Sequence, residues 1–235
     1  MLNKTLKRFY KLAEVAEVSG GFAVHLDGRC VKTPAGRKLE VPFRALAEAM
    51  AVEWREQGEE IKPKSMPMTQ LVSTALDRVG PERATILDQL TRFSDTDLLC
   101  YRAEAPQDLV ARQTGQWQPL LDWAAEAIGA RLVVTTGVIA VDQPAGAVAA
   151  LAARLDGYDD WRLTAAQATC AAAGSLVLAL ALVEGRLDGE RTYALSQLDE
   201  TFQIEQWGED TEAAERRAAL RRDILAAERL LALAV

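Results

Sequence analysis

The sequence predicts an α+β fold. A small amino-terminal antiparallel β-sheet domain with a covering helix takes residues 1–68, and a larger carboxy-terminal all-helical domain takes residues 69–235. Three observations carry this. Between residues 11 and 42, apolar side chains alternate with small or polar ones, and turn residues punctuate the runs. The segment from Ile61 to Met68 contains two prolines and reads as an extended connector at the domain junction. From Thr69 onward the apolar spacing is helical.

The elements follow in order. Lys11 to Val18 suits a first strand, closed by Gly20-Gly21. Phe22, Val24 and Leu26 alternate with Gly21, Ala23 and His25, the period of a half-buried strand. Asp27-Gly28 fits a two-residue hairpin turn, in which both central residues need φ > 0. Arg29 to Thr33 returns, Pro34 to Gly36 turns again, and Leu39 and Val41 resume the alternation. Pro42 suits the start of a helix over 43–57, whose Leu46, Ala47, Met50 and Trp54 would cover the apolar face of the sheet. Helices are expected over 70–79 and 82–99, then from Pro106 to Ile128, where Pro119 should kink or split the helix. Leu132 to Val141 is rich in β-branched residues and suits extended chain, and helical spacing resumes after Pro144. Thr164 to Gln167 has the form of a capping box for an Ala/Leu-rich helix ending near Gly185. Asp188 can cap the helix that carries Tyr193 to Asp210. A last helix over 210–232 would point Leu220, Ile224, Leu225 and Leu230 inward.

Composition narrows the function. A net charge of −7 over 235 residues disfavours nucleic acid and anionic membrane as partners, since both need clustered Lys and Arg. Cys30, Cys100 and Cys170 are far apart and form no CxxC, which suggests neither a disulfide framework nor zinc and fits a reducing compartment. Met1 to Tyr10 is basic but lacks the apolar run of a signal peptide. Ala168 to Val183 falls short of the about 20 apolar residues of a membrane span and reads as a buried core helix, so no membrane insertion is expected. One histidine, His25, leaves no His pair for a metal, and no serine sits in GxSxG. No phosphate-cradling GxxxxGK[ST] or GxGxxG is present. The sequence therefore predicts no cofactor, no metal and no catalytic residue. Carboxylates are the remaining catalytic option, with Asp95/Asp97 and Asp199/Glu200/Glu205 as the groups a hydrolase would use. The run from Arg92 to Asp97 reads first as helix capping with a salt bridge. Among the tryptophans of the helical part, Trp207, beside Gly208 at a helix end, is expected to be the most exposed.

The stretch from Tyr193 to Asp210 shows two faces on a helical wheel. Leu195, Leu198 and Phe202 form a core seam. Ser196, Glu200, Gln203 and Trp207, spaced i, i+4, i+7, i+11, form a second stripe of amide, carboxylate and indole, suited either to a contact surface or to a solvated face.

Eight stretches in order then resemble a known family. They are Arg8-Phe9-Tyr10; Leu26 to Arg29 with Thr33-Pro34; Glu53-Trp54 with Gln57; Met66 to Thr69; Asp95 to Asp97 with Tyr101-Arg102; Trp117 to Leu121; Ser175 to Ala179; and Phe202 to Glu205 with Trp207-Gly208. Together they resemble the assembly chaperones of the ATP synthase alpha subunit, found in mitochondria and related bacteria, over nearly the whole chain. The resemblance implies the two-domain fold above and a non-enzymatic protein that works without hydrolysing ATP. It implies that the unassembled alpha subunit is bound and its beta-facing surface masked. It also implies an important acidic position in the late helix, at Asp199 or Glu200. The candidate client-binding residues are accordingly Asp199, Glu200, Gln203, Glu205 and Trp207. A monomer in the bacterial cytoplasm, or in the mitochondrial matrix for a trimmed eukaryotic member, would fit. A carboxylate-based hydrolase, and a helical interaction scaffold for another partner, are the alternatives.

Overall fold

The computed structural model describes residues 6–137 and 141–235. They form two compact units, one of the described part of Met1–Glu82 with Arg229–Val235, the other Arg83–Glu228.

In the first unit, β1 (Leu6–Lys7) precedes β2 (Ala13–Val18), which pairs antiparallel along its length with β3 (Gly21–Leu26). The hairpin from β3 to β4 (Arg29–Cys30) turns at Asp27 and Gly28, with φ of 48° and 79°, as a type I′ turn requires. β5 (Glu40–Val41) also pairs with β3, so β3 is the central strand. At its start, Gly21 has φ of 137°, and a Cβ there would lie 2.3 Å from the Val41 carbonyl oxygen, so the close approach of β5 requires glycine. The expected apolar face is modified. Val24 and Leu26 are buried, but so is Ala23, while Phe22 is half-buried and lies under the Arg44 guanidinium at 5.6 Å.

α1 (Arg44–Arg55) lies against β2 and β3 and buries Leu46, Ala47, Met50 and Trp54, as its spacing predicts. β6 (Glu60–Ile61) pairs antiparallel with β1. The expected extended connector is not extended. Pro63–Ser65 forms one 3₁₀ turn, and α2 (Pro67–Thr74) begins at once, with Pro67 in its first turn. The reason lies in α1. The buried Glu53 carboxylate accepts from the backbone N–H of Met68 (2.7 Å) and of Thr69 (2.8 Å), and from the Thr69 hydroxyl (2.8 Å), capping α2. A π-helical turn, Ala75–Val79, continues α2. The compact units group residues 69–82 and 229–235 with the sheet.

The second unit opens with α3 (Arg83–Arg92) and two 3₁₀ turns, Phe93–Thr96 and Leu98–Cys100, where one helix over 82–99 was expected. Asp97 makes the break. It is fully buried and accepts from the N–H of Leu99 (3.0 Å), the hydroxyl of Ser175 (2.7 Å) and the N–H of Val177 (3.0 Å). The capping reading of this run holds, with Arg92 paired to Asp88 at 2.9 Å. β7 (Tyr101–Arg102) follows, then α4 (Gln107–Trp123), which passes through Pro119 without a split and ends in a π-helical turn, Ala124–Ile128. Burial of Trp117, Leu120 and Leu121, at about 1.5–3 kcal/mol each, outweighs the roughly 3 kcal/mol cost of an interior proline. The expected extended stretch over 132–141 is realised at β8 (Thr135–Thr136), which pairs parallel with β7 inside the otherwise helical unit. Residues 138–140 of that stretch lie outside the described residues.

After α5 (Ala145–Asp156), the single Ala/Leu-rich helix of the sequence reading proves to be two. α6 (Asp160–Ala173) is capped by Asp159, not by a box at Thr164, whose hydroxyl instead bonds back to the Asp160 carbonyl. α6 ends at Gly174, φ 67°, the left-handed conformation that glycine reaches at low cost. Ser175 then caps α7 (Leu176–Val183), buried at every position from Leu176 to Leu182, as a helix apolar all round must be. α8 (Gly189–Ser196) is capped by Asp188 as expected, α9 (Leu198–Trp207) follows, and α10 (Thr211–Leu233) buries Ile224 and Leu230, with Leu220 and Leu225 half-buried. Among the described residues, no helix is long and apolar enough to cross a membrane, and no three His, Cys, Asp or Glu cluster as metal ligands.

Candidate functional site

The single late helix of the sequence reading is broken at Gln197, which has φ −108° and ψ 20°. Ser196 ends α8 and its hydroxyl donates to the Tyr193 carbonyl, so it drops out of the continuous stripe. Glu200, Gln203 and Trp207 remain together on α9. The seam of Leu195, Leu198 and Phe202 is buried as its spacing predicts.

Asp199 differs from its neighbours. It is half-buried, and its carboxylate accepts from the Gln113 side-chain amide on α4 at 2.8 Å. Gln113, itself buried, accepts the Ala103 N–H at 2.8 Å with its other end. Arg102, 8 % exposed, donates through Nε to the Leu99 carbonyl (2.8 Å) and stacks over Trp117 at 5.4 Å, while its Nη2 finds no partner among the described residues. Trp117 donates to the Leu195 carbonyl at 3.0 Å, tying α4 to the end of α8. Burial pushes the Asp199 carboxyl above its usual range; the Gln113 hydrogen bond and the Arg102 charge pull it back.

The other candidates sit further out. Glu200 is half-buried and pairs with Arg216 of α10 at 3.6 Å. Glu205 pairs with Arg112 of α4 at 2.9 Å, and that hydrogen bond holds its carboxyl below the usual range. Arg112 also lies 5.3 Å over the Phe202 ring. Gln203 is exposed, and Trp207, at the end of α9, is 79 % exposed. The structure thus brings Glu200, Gln203 and Trp207 onto an outer surface and gives Asp199 and Glu205 partners on α4. The sequence reading missed Gln113, Arg102 and Arg112. Gln113 lies one helical turn before Trp117 on α4, so the two share a face.

Asp97 is spent as a buried cap, and Asp199 and Glu205 are held by an amide and a guanidinium. The exposed indole of Trp207 stands on a helix braced from behind by the hydrogen bonds of Asp199 and Glu205. The comparisons define the kind of protein. The chain belongs to the ATP12 chaperone protein family, whose description matches residues 7–125. It superposes on the crystal structure of Atp12 from Paracoccus denitrificans with TM-score 0.89 at 39 % identity, covering 98 % of this chain and 99 % of that one. It is similar also to the crystal structure of the Atu1473 protein of Agrobacterium tumefaciens, with TM-score 0.90 at 46 % identity over 97 % and 85 % of the two chains. Among curated proteins, the mitochondrial protein atp12 of Schizosaccharomyces pombe is 29 % identical over 90 % of this chain and 77 % of its own length. This is the chaperone family that the sequence resembles, and the chain is a chaperone, not an enzyme.

Proposed function

We propose that the chain is an ATP-independent chaperone that binds the unassembled alpha subunit of ATP synthase and covers its beta-facing surface until the catalytic head assembles. Contact is made through Glu200, Gln203 and Trp207, with Asp199 and Glu205 fixing the helix that carries them. The observation that carries the reading is Trp207, an indole 79 % exposed at a helix end, with polar sequence neighbours and, among the described residues, no other exposed large hydrophobic on α9. Such a surface binds a subunit interface and still yields to the proper partner. The work is done by a monomer, in the bacterial cytoplasm or, if the chain is a trimmed eukaryotic member, in the mitochondrial matrix.

Co-expression with an aggregation-prone free alpha subunit tests this. The wild-type chain raises alpha solubility and co-elutes with it. Trp207→Ala leaves the thermal midpoint unchanged and weakens the complex about tenfold or more, the size of a hot-spot aromatic. Unchanged alpha solubility, with no complex by gel filtration, overturns the reading.

A further inference from the structure

Trp207 stands in water at the end of α9, so its place is set by the backbone on either side of it. Upstream, α9 is fixed by buried Phe202 and by the Glu205–Arg112 pair. Downstream, the stretch from Gly208 to Asp210 leads into α10. Gly208 has φ 84° and ψ 169°, a region that glycine alone enters at low cost, so the chain leaves α9 sharply at the residue after the indole. Asp210 is committed to the next helix, where its carboxylate accepts the Ala213 N–H at 2.9 Å. Between the two lies Glu209.

Arg217 of α10 spans this junction. Its Nη1 donates to Glu209 at 2.8 Å, and its Nη2 donates to the Thr201 hydroxyl, near the start of α9, at 3.1 Å. One planar guanidinium therefore holds α9 before Trp207 and the chain after it at a fixed spacing. The Arg217 side chain is only 16 % exposed, and its Nε is buried with no acceptor among the described residues. A guanidinium so far withdrawn from water depends on the partners it has, which makes this tie firmer than an exposed ion pair. Arg216, its neighbour on α10, shows the contrast: its side chain is 67 % exposed and meets Glu200 at 3.6 Å.

Resting on the reading of Trp207 as the client contact, we infer that Arg217 is its positioning residue. By binding Thr201 and Glu209 together, Arg217 holds the indole in place before a partner arrives. A side chain ordered in advance loses less freedom on contact, so the complex is tighter with no contact added. Arg217 itself lies behind the contact face and acts only through the chain that carries Trp207. Without it, Gly208 has no side chain to restrict its backbone, and the end of α9 would move independently of α10.

Fluorine NMR of the full chain labelled with fluorotryptophan tests it. The chain has five tryptophans, and Trp207→Phe assigns the Trp207 resonance by its loss. Arg217→Ala is expected to shift and narrow that resonance, while the resonance of buried Trp117 stays in place. Glu209→Ala, a change at the surface, is expected to do the same and keeps the test decisive if Arg217→Ala does not fold. Arg217→Lys, a point charge that cannot span both partners, should fall between. Against the free alpha subunit, each alanine variant should weaken the complex about three- to tenfold, the size of one side chain ordered only on binding. The double variant should lose no more than the worse single one, because both changes break the same tie. A Trp207 resonance that neither alanine variant moves, a Trp117 resonance that moves with it in Glu209→Ala, or losses that add in the double variant would each overturn the inference. If the wild-type chain forms no complex with alpha, the proposed client falls, and the Trp207 resonance still decides whether Arg217 sets the place of the indole.

Discussion

Asp199 hands a carboxylate oxygen to the buried Gln113 amide, whereas Glu200 reaches Arg216 across the surface. The two adjacent acids therefore respond differently to substitution. The folded-state pKa of Asp199 is raised, so its proton favours the folded state; that contribution is complete below the unfolded pKa, about 3.9, and is lost as pH rises through the folded value. At pH 7 the ionised form carries the burial penalty. Asp199→Asn keeps an acceptor for Gln113 and removes the charge, so it should melt at or above the wild-type temperature at pH 7, with the difference vanishing as pH falls below about 4. A clearly lower midpoint at pH 7 would mean that attraction to Arg102 outweighs desolvation. A lysine at 199 is a poor probe of client contact, because it sets a second cation beside Arg102 and strips Gln113 of its acceptor. Asp97 shows the stronger dependence. Asp97→Ala leaves two N–H groups and a hydroxyl in the interior without their acceptor and should cost about 3–5 kcal/mol in denaturant unfolding.

Elements were legible where a local period sets them and illegible where a distant partner does. The hairpin at Asp27-Gly28, α1 with its four inward residues, and the seam of Leu195, Leu198 and Phe202 follow from spacing alone. The breaks at Asp97, Gly174 and Gln197 do not. Asp97 leaves its helix to cap one that starts beyond Ser175, and no local pattern records that. The start of α2 depends likewise on Glu53, a carboxylate buried in a neighbouring helix. The candidate face is legible in the same proportion: Trp207 is exposed as its place beside Gly208 suggests, while the residues that brace its helix, Gln113 and Arg112 of α4 and Arg102 of β7, needed the fold. At this scale Gly21→Ala is the informative change. It forces a side chain into φ 137° against the Val41 carbonyl and should destabilise the sheet by about 2 kcal/mol or more, with β5 losing hydrogen-exchange protection first.

For the whole molecule, the composition of the first unit matters most. It takes in Arg229–Val235, which include the fully buried Leu230. Deleting residues 229–235 should therefore lower the stability of the sheet, read as faster amide exchange in β2 and β3, while α6 and α7 keep their protection. The same feature bears on synthesis. A ribosome delivers the strands early, yet residues that complete their unit emerge only after the whole of the second unit has been made. Until then the sheet lacks the residues that complete its unit, so this chaperone passes through its own interval of needing protection.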